Sequence, residues 1–272
     1  MKPKIIVSMT TTANRIAFLK QTLASIYAQT IQADAIELNI PNSYTRPDLE
    51  PVDTNDIPEG FDIYRCDDYG PATKLLPTLL RYKNDNVVII YCDDDRIYAP
   101  NWIERLLSVH KANNECCVGD ELYDIPYYVN SITIKKSVGY RLKRIFSFGL
   151  WNPRKRNYKK AAILEGYGGV LVRPEFFDHS VFELPDLFFP VDDIWLSAKL
   201  AERKIPIKYS NRKVSEKSQP VISNDKDIGR AEGSLTVTQF GGKSRAQLDI
   251  NAMRYACEKL GVWEEWKRYL EI

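Results

Sequence analysis

The sequence predicts an α/β fold: a mostly parallel sheet flanked by helices, followed by a C-terminal helical segment. Three observations carry that expectation. The runs Ile5-Ile6-Val7 and Val87-Val88-Ile89-Ile90-Tyr91 are apolar throughout rather than alternating, as strands covered on both faces are. Segments with helical apolar spacing separate such runs, and strands alternating with helices imply right-handed crossovers with helices on both faces. Three consecutive carboxylates, Asp93-Asp94-Asp95, follow directly on the second run. Ligands of open α/β sheets bind just beyond the carboxyl ends of strands.

In order, Lys4–Met9 is the first strand, and residues 15–29 form a helix with an apolar stripe at Ile16, Leu19, Leu23 and Ile26. Ala35–Ile40 is the next strand. A Pro- and Asp-rich loop from Pro41 to Gly60 leads to the third, Phe61–Arg65. Pro71 opens a helix running to about Tyr82, in the first turn where a missing N–H costs nothing. The Val87–Tyr91 strand and a helix from Pro100 to Ala112 complete the pattern. Beyond Cys116 the alternation breaks. Tyr123–Ile134 reads as β-structure, Lys135–Lys160 as basic and irregular, Val170–Val172 as a strand and Asp192–Arg203 as a helix. A loop marked by Gly229, Gly233, Gly241 and Gly242 precedes an amphipathic helical end from Ser244 to Leu270. No internal repeat or low-complexity linker interrupts the chain. We therefore expect one domain over residues 1–242, in halves of about 1–120 and 121–242, and a helical segment over 243–272.

With 44% apolar and 27% charged residues in 272, the composition is that of a globular protein able to bury a sizeable core. A net charge of +2 gives no overall attraction to nucleic acid, and none is expected as a partner. No apolar run reaches the length of a membrane-spanning helix, and the N-terminus reads as a strand rather than a signal peptide. Five cysteines, an odd number without CxxC spacing, suggest reduced thiols and a cytoplasmic location. Two histidines, His110 and His179, argue against a His-rich zinc site. The charge distribution says more than its sum. Between Asp124 and Glu165 there is no acid, while Lys135, Lys136, Arg141, Lys143, Arg144, Arg154, Lys155, Arg156, Lys159 and Lys160 are interleaved with aromatics. That mixture suits an anionic membrane surface, or alternatively a polyphosphate.

Three acids at a strand end repel one another and resist desolvation unless a cation neutralises them. Oxygen-only ligands suit Mn²⁺ or Mg²⁺, and Mg²⁺ usually shares its shell with substrate phosphates. The i, i+2 spacing turns Asp93 and Asp95 to one side of an extended segment, as metal ligands, and Asp94 to the other. The bland alternative is an Asp-rich turn before the next helix. A second alternative is a phosphatase or phosphotransferase of the haloacid dehalogenase type, with Asp93 as nucleophile and Asp95 as general acid. That motif normally opens its domain, whereas here three strands precede it.

Taken in order, the motifs resemble those of the GT-A glycosyltransferases, in particular bacterial inverting enzymes of the family 2 type that build surface polysaccharides. The resemblance runs over residues 4–203. It is carried by Val7-Ser8-Met9-Thr10-Thr11-Thr12-Ala13-Asn14-Arg15, by Ser25-Ile26-Tyr27-Ala28-Gln29-Thr30 and by Asp67-Asp68-Tyr69-Gly70-Pro71-Ala72-Thr73-Lys74. Asp93-Asp94-Asp95 and Pro190-Val191-Asp192-Asp193-Ile194-Trp195-Leu196 complete it. It implies a GT-A, Rossmann-like fold and transfer of a sugar from a nucleotide diphosphate sugar, by resemblance UDP-linked. The saccharide acceptor would be lipid-linked, and the enzyme peripheral on the inner face of the plasma membrane.

On that reading Thr10, Thr12 and Arg15 hold the nucleotide, Asp67 or Asp68 meets base or ribose, and Lys74 places an ammonium on the diphosphate. Asp94 contacts the sugar, and Gly168, in Gly166-Tyr167-Gly168-Gly169, lets backbone approach the sugar ring closely. Tyr167 and Trp195 would offer aromatic faces to the sugar, though core packing is the commoner fate of such side chains. The family's catalytic acid is second in its acidic pair, so the resemblance makes Asp193 the general base and Asp192 its neighbour in the site. Both acids also suit the first turn of a helix as capping residues. No His follows His179, so a third protein ligand to the metal would be absent, or an Asn or Asp such as Asn224 or Asp225. A Gln-x-x-Arg-Trp gate is absent, which points away from a processive polymerase. A non-catalytic membrane-surface protein would explain the basic stretch and leave the triplet without a purpose.

Overall fold

The computed structural model describes residues 2–133, 162–221 and 242–270. Its first half contains β1 (Lys4–Thr10), α1 (Ile16–Tyr27), β2 (Ala35–Pro41), β3 (Asp62–Cys66), α2 (Leu76–Arg81), β4 (Val87–Tyr91), β5 (Arg96–Ile97) and α3 (Trp102–Ala112). There follow β6 (Cys117–Gly119), β7 (Leu122–Tyr123), α4 (Ile125–Thr133), β8 (Ile163–Leu164), β9 (Val170–Val172) and α5 (Asp192–Glu202). The last elements are β10 (Ile207–Tyr209), β11 (Gln219–Pro220), α6 (Arg245–Lys259) and α7 (Lys267–Leu270).

Seven strands form one sheet in the order β10-β6-β9-β4-β1-β2-β3. All neighbours pair in parallel except β9, which is antiparallel to both β4 and β6. The fold is therefore the mostly parallel α/β sheet expected. Alternate residues of the central strands feed two cores. Ile6, Ile89 and Tyr91 pack under α2, α5 and α6, while Ile5, Val7, Val88 and Ile90 pack under α1 and α3. Both faces are covered, which is why these strands read as unbroken apolar runs.

One polar residue interrupts β1. Ser8 is fully buried and donates to the Lys74 carbonyl at 2.7 Å, while Asn39 Nδ2 donates to its hydroxyl at 3.1 Å. Asn39 is in turn bonded by Arg81, which pairs with the buried Glu37 at 2.8 Å. This satisfied network ties the turn at residues 70–74 to the carboxyl end of the sheet.

Three expectations about elements need correction. The helix from Pro71 to Tyr82 is split into a 3-10 turn over Gly70–Lys74 and the short α2, because Pro77 has no N–H to continue the ladder. The segment Tyr123–Ile134, expected as β-structure, is otherwise: of its described residues, only Tyr123 belongs to a strand, and Ile125–Thr133 is helical. Asp124 Oδ1 accepts from the Tyr127 amide at 2.9 Å, Pro126 sits in the first turn, and Ile125 and Val129 bury one helical face. The β-branched and aromatic composition concealed that start signal. The end from Ser244 to Leu270 is two helices, since Gly261, at φ +65°, closes α6 in the left-handed conformation. Leu248, Ala252, Met253 and Ala256 of α6 pack into the core beside α5. The basic stretch at Lys135–Lys160 and the positions Asn224, Asp225, Gly229, Gly233 and Gly241 lie outside the described residues.

Candidate active site

A cavity of about 480 Å³ opens at the carboxyl ends of β1 and β4. It draws on the turn after β1, the loop after β2, the 3-10 turn at 70–74, the Asp triplet, the start of α5 and the first turns of α6.

At one end stand Thr10, Thr12, Arg15 and the triplet. Thr10 Oγ1 donates to the Asn39 carbonyl at 2.8 Å, and Thr12 Oγ1 to Asn14 Oδ1 at 2.6 Å. Asp94 is almost wholly buried and is bound from two sides. Thr11 Oγ1 donates to its Oδ2 at 2.6 Å, and Arg15 Nε to both its oxygens at 3.0 and 3.1 Å. Arg15 Nη2 also reaches Asp95 Oδ2 at 3.0 Å. The triplet's backbone is pinned as well, by Thr22 Oγ1 on the Asp94 carbonyl (2.7 Å) and by the Val221 amide on that of Asp95 (2.8 Å). All three acids line the cavity; Asp93 and Asp95 are each about a third exposed, at 32% and 33%, while Asp94 is committed to Arg15 and Thr11. Burial raises the Asp95 carboxyl, Arg15 opposes it, and the like charges of Asp93 and Asp94 leave it above its ordinary range.

Beside this end, Asp68 Oδ2 accepts from the Thr45 amide at 2.6 Å and its Oδ1 from Gly70 at 2.8 Å. It thereby braces a loop whose Tyr44 hydroxyl donates to the Thr11 carbonyl at 3.1 Å. Tyr44, Arg46 and Leu49 line the cavity from a loop that carries no motif. Asp67 does not reach the cavity and is exposed.

Lys74 occupies the middle. Its ammonium lies 2.9 Å from Asp93 Oδ1, 3.1 Å from Asp192 Oδ2 and 3.8 Å from Asp193 Oδ1. It is 4% exposed, so it is not a solvated helix lysine. Burial alone would lower its pKa, but the surrounding carboxylates outweigh burial and hold it charged. By the same pairing the Asp93 carboxyl, which burial would raise, lies below its ordinary range.

The other end is built on α5. Asp192 and Asp193 occupy its first turn, and the N-cap residue, Val191, makes no side-chain cap hydrogen bond. Asp193 Oδ1 accepts from the Gly166 amide at 2.9 Å, a bond between two segments far apart in the chain. Burial first, then the charges of Asp192 and Asp93, push Asp193 up to about 7 against the pull of Lys74. Burial and the neighbouring Asp193 also raise Glu165 well above the usual carboxylate range. Gly166 fits only because it lacks a side chain: a Cβ there would stand 2.4 Å from Lys74 Nζ and 3.2 Å from Asp193 Oδ1.

Gly166 therefore makes a close approach to Lys74 and Asp193, although neither it nor Gly168 is among the residues lining the cavity. Gly168 does not line the cavity; a Cβ on it would meet Glu121, and its carbonyl accepts from Trp102 Nε1 at 2.9 Å. Trp195 is buried against Phe188 and donates to the Val181 carbonyl, so it packs the core. Tyr167 lines the cavity and bonds the Tyr123 hydroxyl at 2.9 Å. Tyr128, Glu165, Arg245 and Asp249 complete this end. Sequence reasoning missed all four as site residues. A signal existed for two: Arg245 and Asp249 are charges at i, i+4 beside Leu248 and Ala252, on a face that is otherwise apolar.

The sequence model for glycosyl transferase family 2 matches residues 9–169. No curated relative matches the chain. The matched span begins inside β1 and takes in Arg15, Lys74, the Asp triplet and Gly166; Asp192, Asp193 and α6 lie beyond it. Such a match leaves the phosphatase alternative without support. In this family a nucleotide sugar is the donor and a saccharide the acceptor. With more than half of its 272 residues inside the match and a mostly parallel GT-A sheet beneath the cavity, the protein belongs to glycosyl transferase family 2.

Proposed function

We propose that this glycosyltransferase moves a sugar from a UDP-linked donor to a saccharide hydroxyl by direct displacement, with Asp193 as general base. The observation that carries the reading is the position of Asp193. Its carboxylate lines the cavity, is oriented by the Gly166 amide at 2.9 Å, and has a proton affinity near neutrality, with a pKa of about 7. A base works best with a pKa close to the working pH. The acceptor hydroxyl gives its proton to Asp193 as its oxygen bonds the anomeric carbon and the bond to the diphosphate breaks. A single displacement inverts the anomeric centre.

The donor's diphosphate belongs by charge beside Arg15 and Lys74, with Thr10, Thr12 and the Tyr44 loop around the nucleoside. Asp93 and Asp95 suit a hard divalent cation. Both are oxygen donors open to the cavity, and the second oxygen of each has no hydrogen bond among the described residues. Among those residues no cluster of three or more His, Cys, Asp or Glu forms a ready metal cage, so diphosphate oxygens and water would fill the rest of the shell. Mn²⁺ or Mg²⁺ held there supplies positive charge against the leaving diphosphate.

The ten cations between Asp124 and Glu165 support an acceptor carried on a lipid at an anionic membrane surface, with the enzyme peripheral on its cytoplasmic face. No described helix is long and apolar enough to cross a membrane. Charge reversal at Arg154, Lys155 and Arg156 should abolish co-sedimentation with anionic vesicles; absence of binding by the unaltered protein would remove the membrane from the proposal. The central reading is tested with a panel of UDP-sugars and saccharide acceptors, the product being examined by NMR. A β-linked product from an α-linked donor is expected, and a retained configuration would overturn Asp193 as a simple base.

A further inference from the structure

We infer that Arg245 is a positioning residue for Asp193, so that α6, outside the matched span, orients the base. The inference rests on the reading of Asp193 just given. Asp193 is the second residue of α5, and its direction is set by where that helix begins. The start has no cap of its own: Val191 supplies no side-chain bond, and Pro190 contributes no N–H. It is held from outside. Arg245 Nη1 donates to the Pro190 carbonyl at 2.7 Å, which fixes the chain two residues before the acid pair.

Arg245 is itself oriented by a further set of bonds. Its Nε donates to Asp249 Oδ1 at 2.9 Å, and the Tyr128 hydroxyl donates to Asp249 Oδ2 at 3.3 Å. Directly before Arg245, Ser244 and Gln247 form a reciprocal capping box that fixes the first turn of α6. The connection runs from Tyr128 on α4 through Asp249 and Arg245 on α6 to Pro190, and so to Asp193 and the Gly166 amide. Apolar residues would join the two helices at less cost, since burying a charged pair rarely adds net stability. What a guanidinium adds is direction, one fork on a carboxylate and another on a carbonyl. Arg245 also lines the cavity together with Asp193, where its charge favours the ionised base.

The test needs a reporter of the pose of Asp193 that does not depend on turnover. The Gly166 amide, bonded to Asp193 Oδ1, is that reporter, and its hydrogen exchange can be followed by NMR in the full chain without ligand. In R245A its exchange should accelerate about tenfold or more, while amides of β1 and β4 keep their protection. With UDP-glucose, UDP-galactose and UDP-N-acetylglucosamine as donors, kcat should fall on the order of 10²-fold with donor KM unchanged. Added guanidinium should restore part of both. R245K retains the charge but bridges the two partners poorly, so it should lie between R245A and the unaltered protein. Should R245A not fold, R245K carries the test. Unchanged Gly166 exchange, or a rise in donor KM matching the loss of rate, would overturn the inference. Accelerated exchange in a protein that transfers none of these sugars even unaltered would instead count against Asp193 as the base.

Discussion

Asp93 and Asp193 share one lysine and are driven in opposite directions. At 2.9 Å from Lys74, Asp93 is held below the usual carboxylate range; at 3.8 Å, Asp193 is left at about 7. The cause lies in the two ends of the cavity. Around the triplet, Arg15 and Lys74 stand against Asp93, Asp94 and Asp95, and the side chains open to the cavity. Around Asp193 the acids Asp192, Asp93, Glu165 and Asp249 gather under deeper burial, and among the described residues Lys74 and Arg245 offset them. On the proposed reading Asp93 keeps its charge to help hold a cation with a diphosphate, while its neighbour Asp95 lies above its ordinary range, and Asp193 accepts the proton. Two carboxylates on one lysine are thus separated in proton affinity by their burial and by the other charges around each.

Breaking the basic end should cost most. Asp193→Asn should retain UDP binding and lose transfer by about 10²–10⁴-fold, since that is what a positioned base typically contributes. A comparable loss of UDP affinity would show that the two ends are not separable. Gly166→Ala attacks the boundary between them, because its methyl would enter the space of the Lys74 ammonium. Transfer should fall on the order of 10²-fold with the thermal transition little changed; an unaffected rate would mean that Lys74 can shift at no cost. At the binding end, Asp95→Asn should weaken Mn²⁺-dependent UDP binding at least about tenfold, measured by calorimetry. The same affinity with and without Mn²⁺ would dissolve the metal assignment.

The smallest effect concerns stability. Folding raises Asp193 from 3.8 to about 7, so between those values the native state binds a proton that the unfolded chain releases. Stability from this group therefore falls as pH rises through that window, and transfer rises through its upper part. Asp193→Asn cannot titrate. Its unfolding free energy, followed by urea titration across the window, should decline less with pH than that of the unaltered protein. Parallel pH profiles would mean that Asp193 keeps an ordinary pKa when folded.

The two ends also differed in how far the sequence exposed them. The triplet is contiguous and follows an unbroken apolar strand, so its place at a sheet end was readable, as was Arg15 just past Thr10-Thr11-Thr12. The fold class was readable for the same reason, because the central strands lie between helices. The basic end is assembled from β8, α4, α5 and α6, and no local period encodes such a meeting. Asp192-Asp193 suited a helix cap as well as the base that the resemblance implied, and only the fold reveals that Asp193 bonds Gly166. Tyr128 was hidden in a segment whose composition suggests strand. Gly168 and Gly166 cannot be told apart by chemistry alone; what distinguishes them is whether Glu121 or Lys74 lies across from the missing side chain. The loop over Tyr44 and Leu49 has neither apolar periodicity nor a motif, and Asp67 and Asp68 differ only in which way the backbone turns.

Ser8 makes catalytic competence a check on folding fidelity. Its hydroxyl holds the carbonyl of Lys74 from the middle of β1, and successive side chains of a strand point to opposite faces. A molecule in which β1 settled one residue out of step would turn Ser8 toward Leu19 and Leu23 and leave the lysine turn unanchored. Such a molecule would be compact and largely helical where it should be, yet the ammonium shared by Asp93, Asp192 and Asp193 would have no fixed address. Misregistered chains would accordingly be silent rather than error-prone, spending no donor on misdirected transfer.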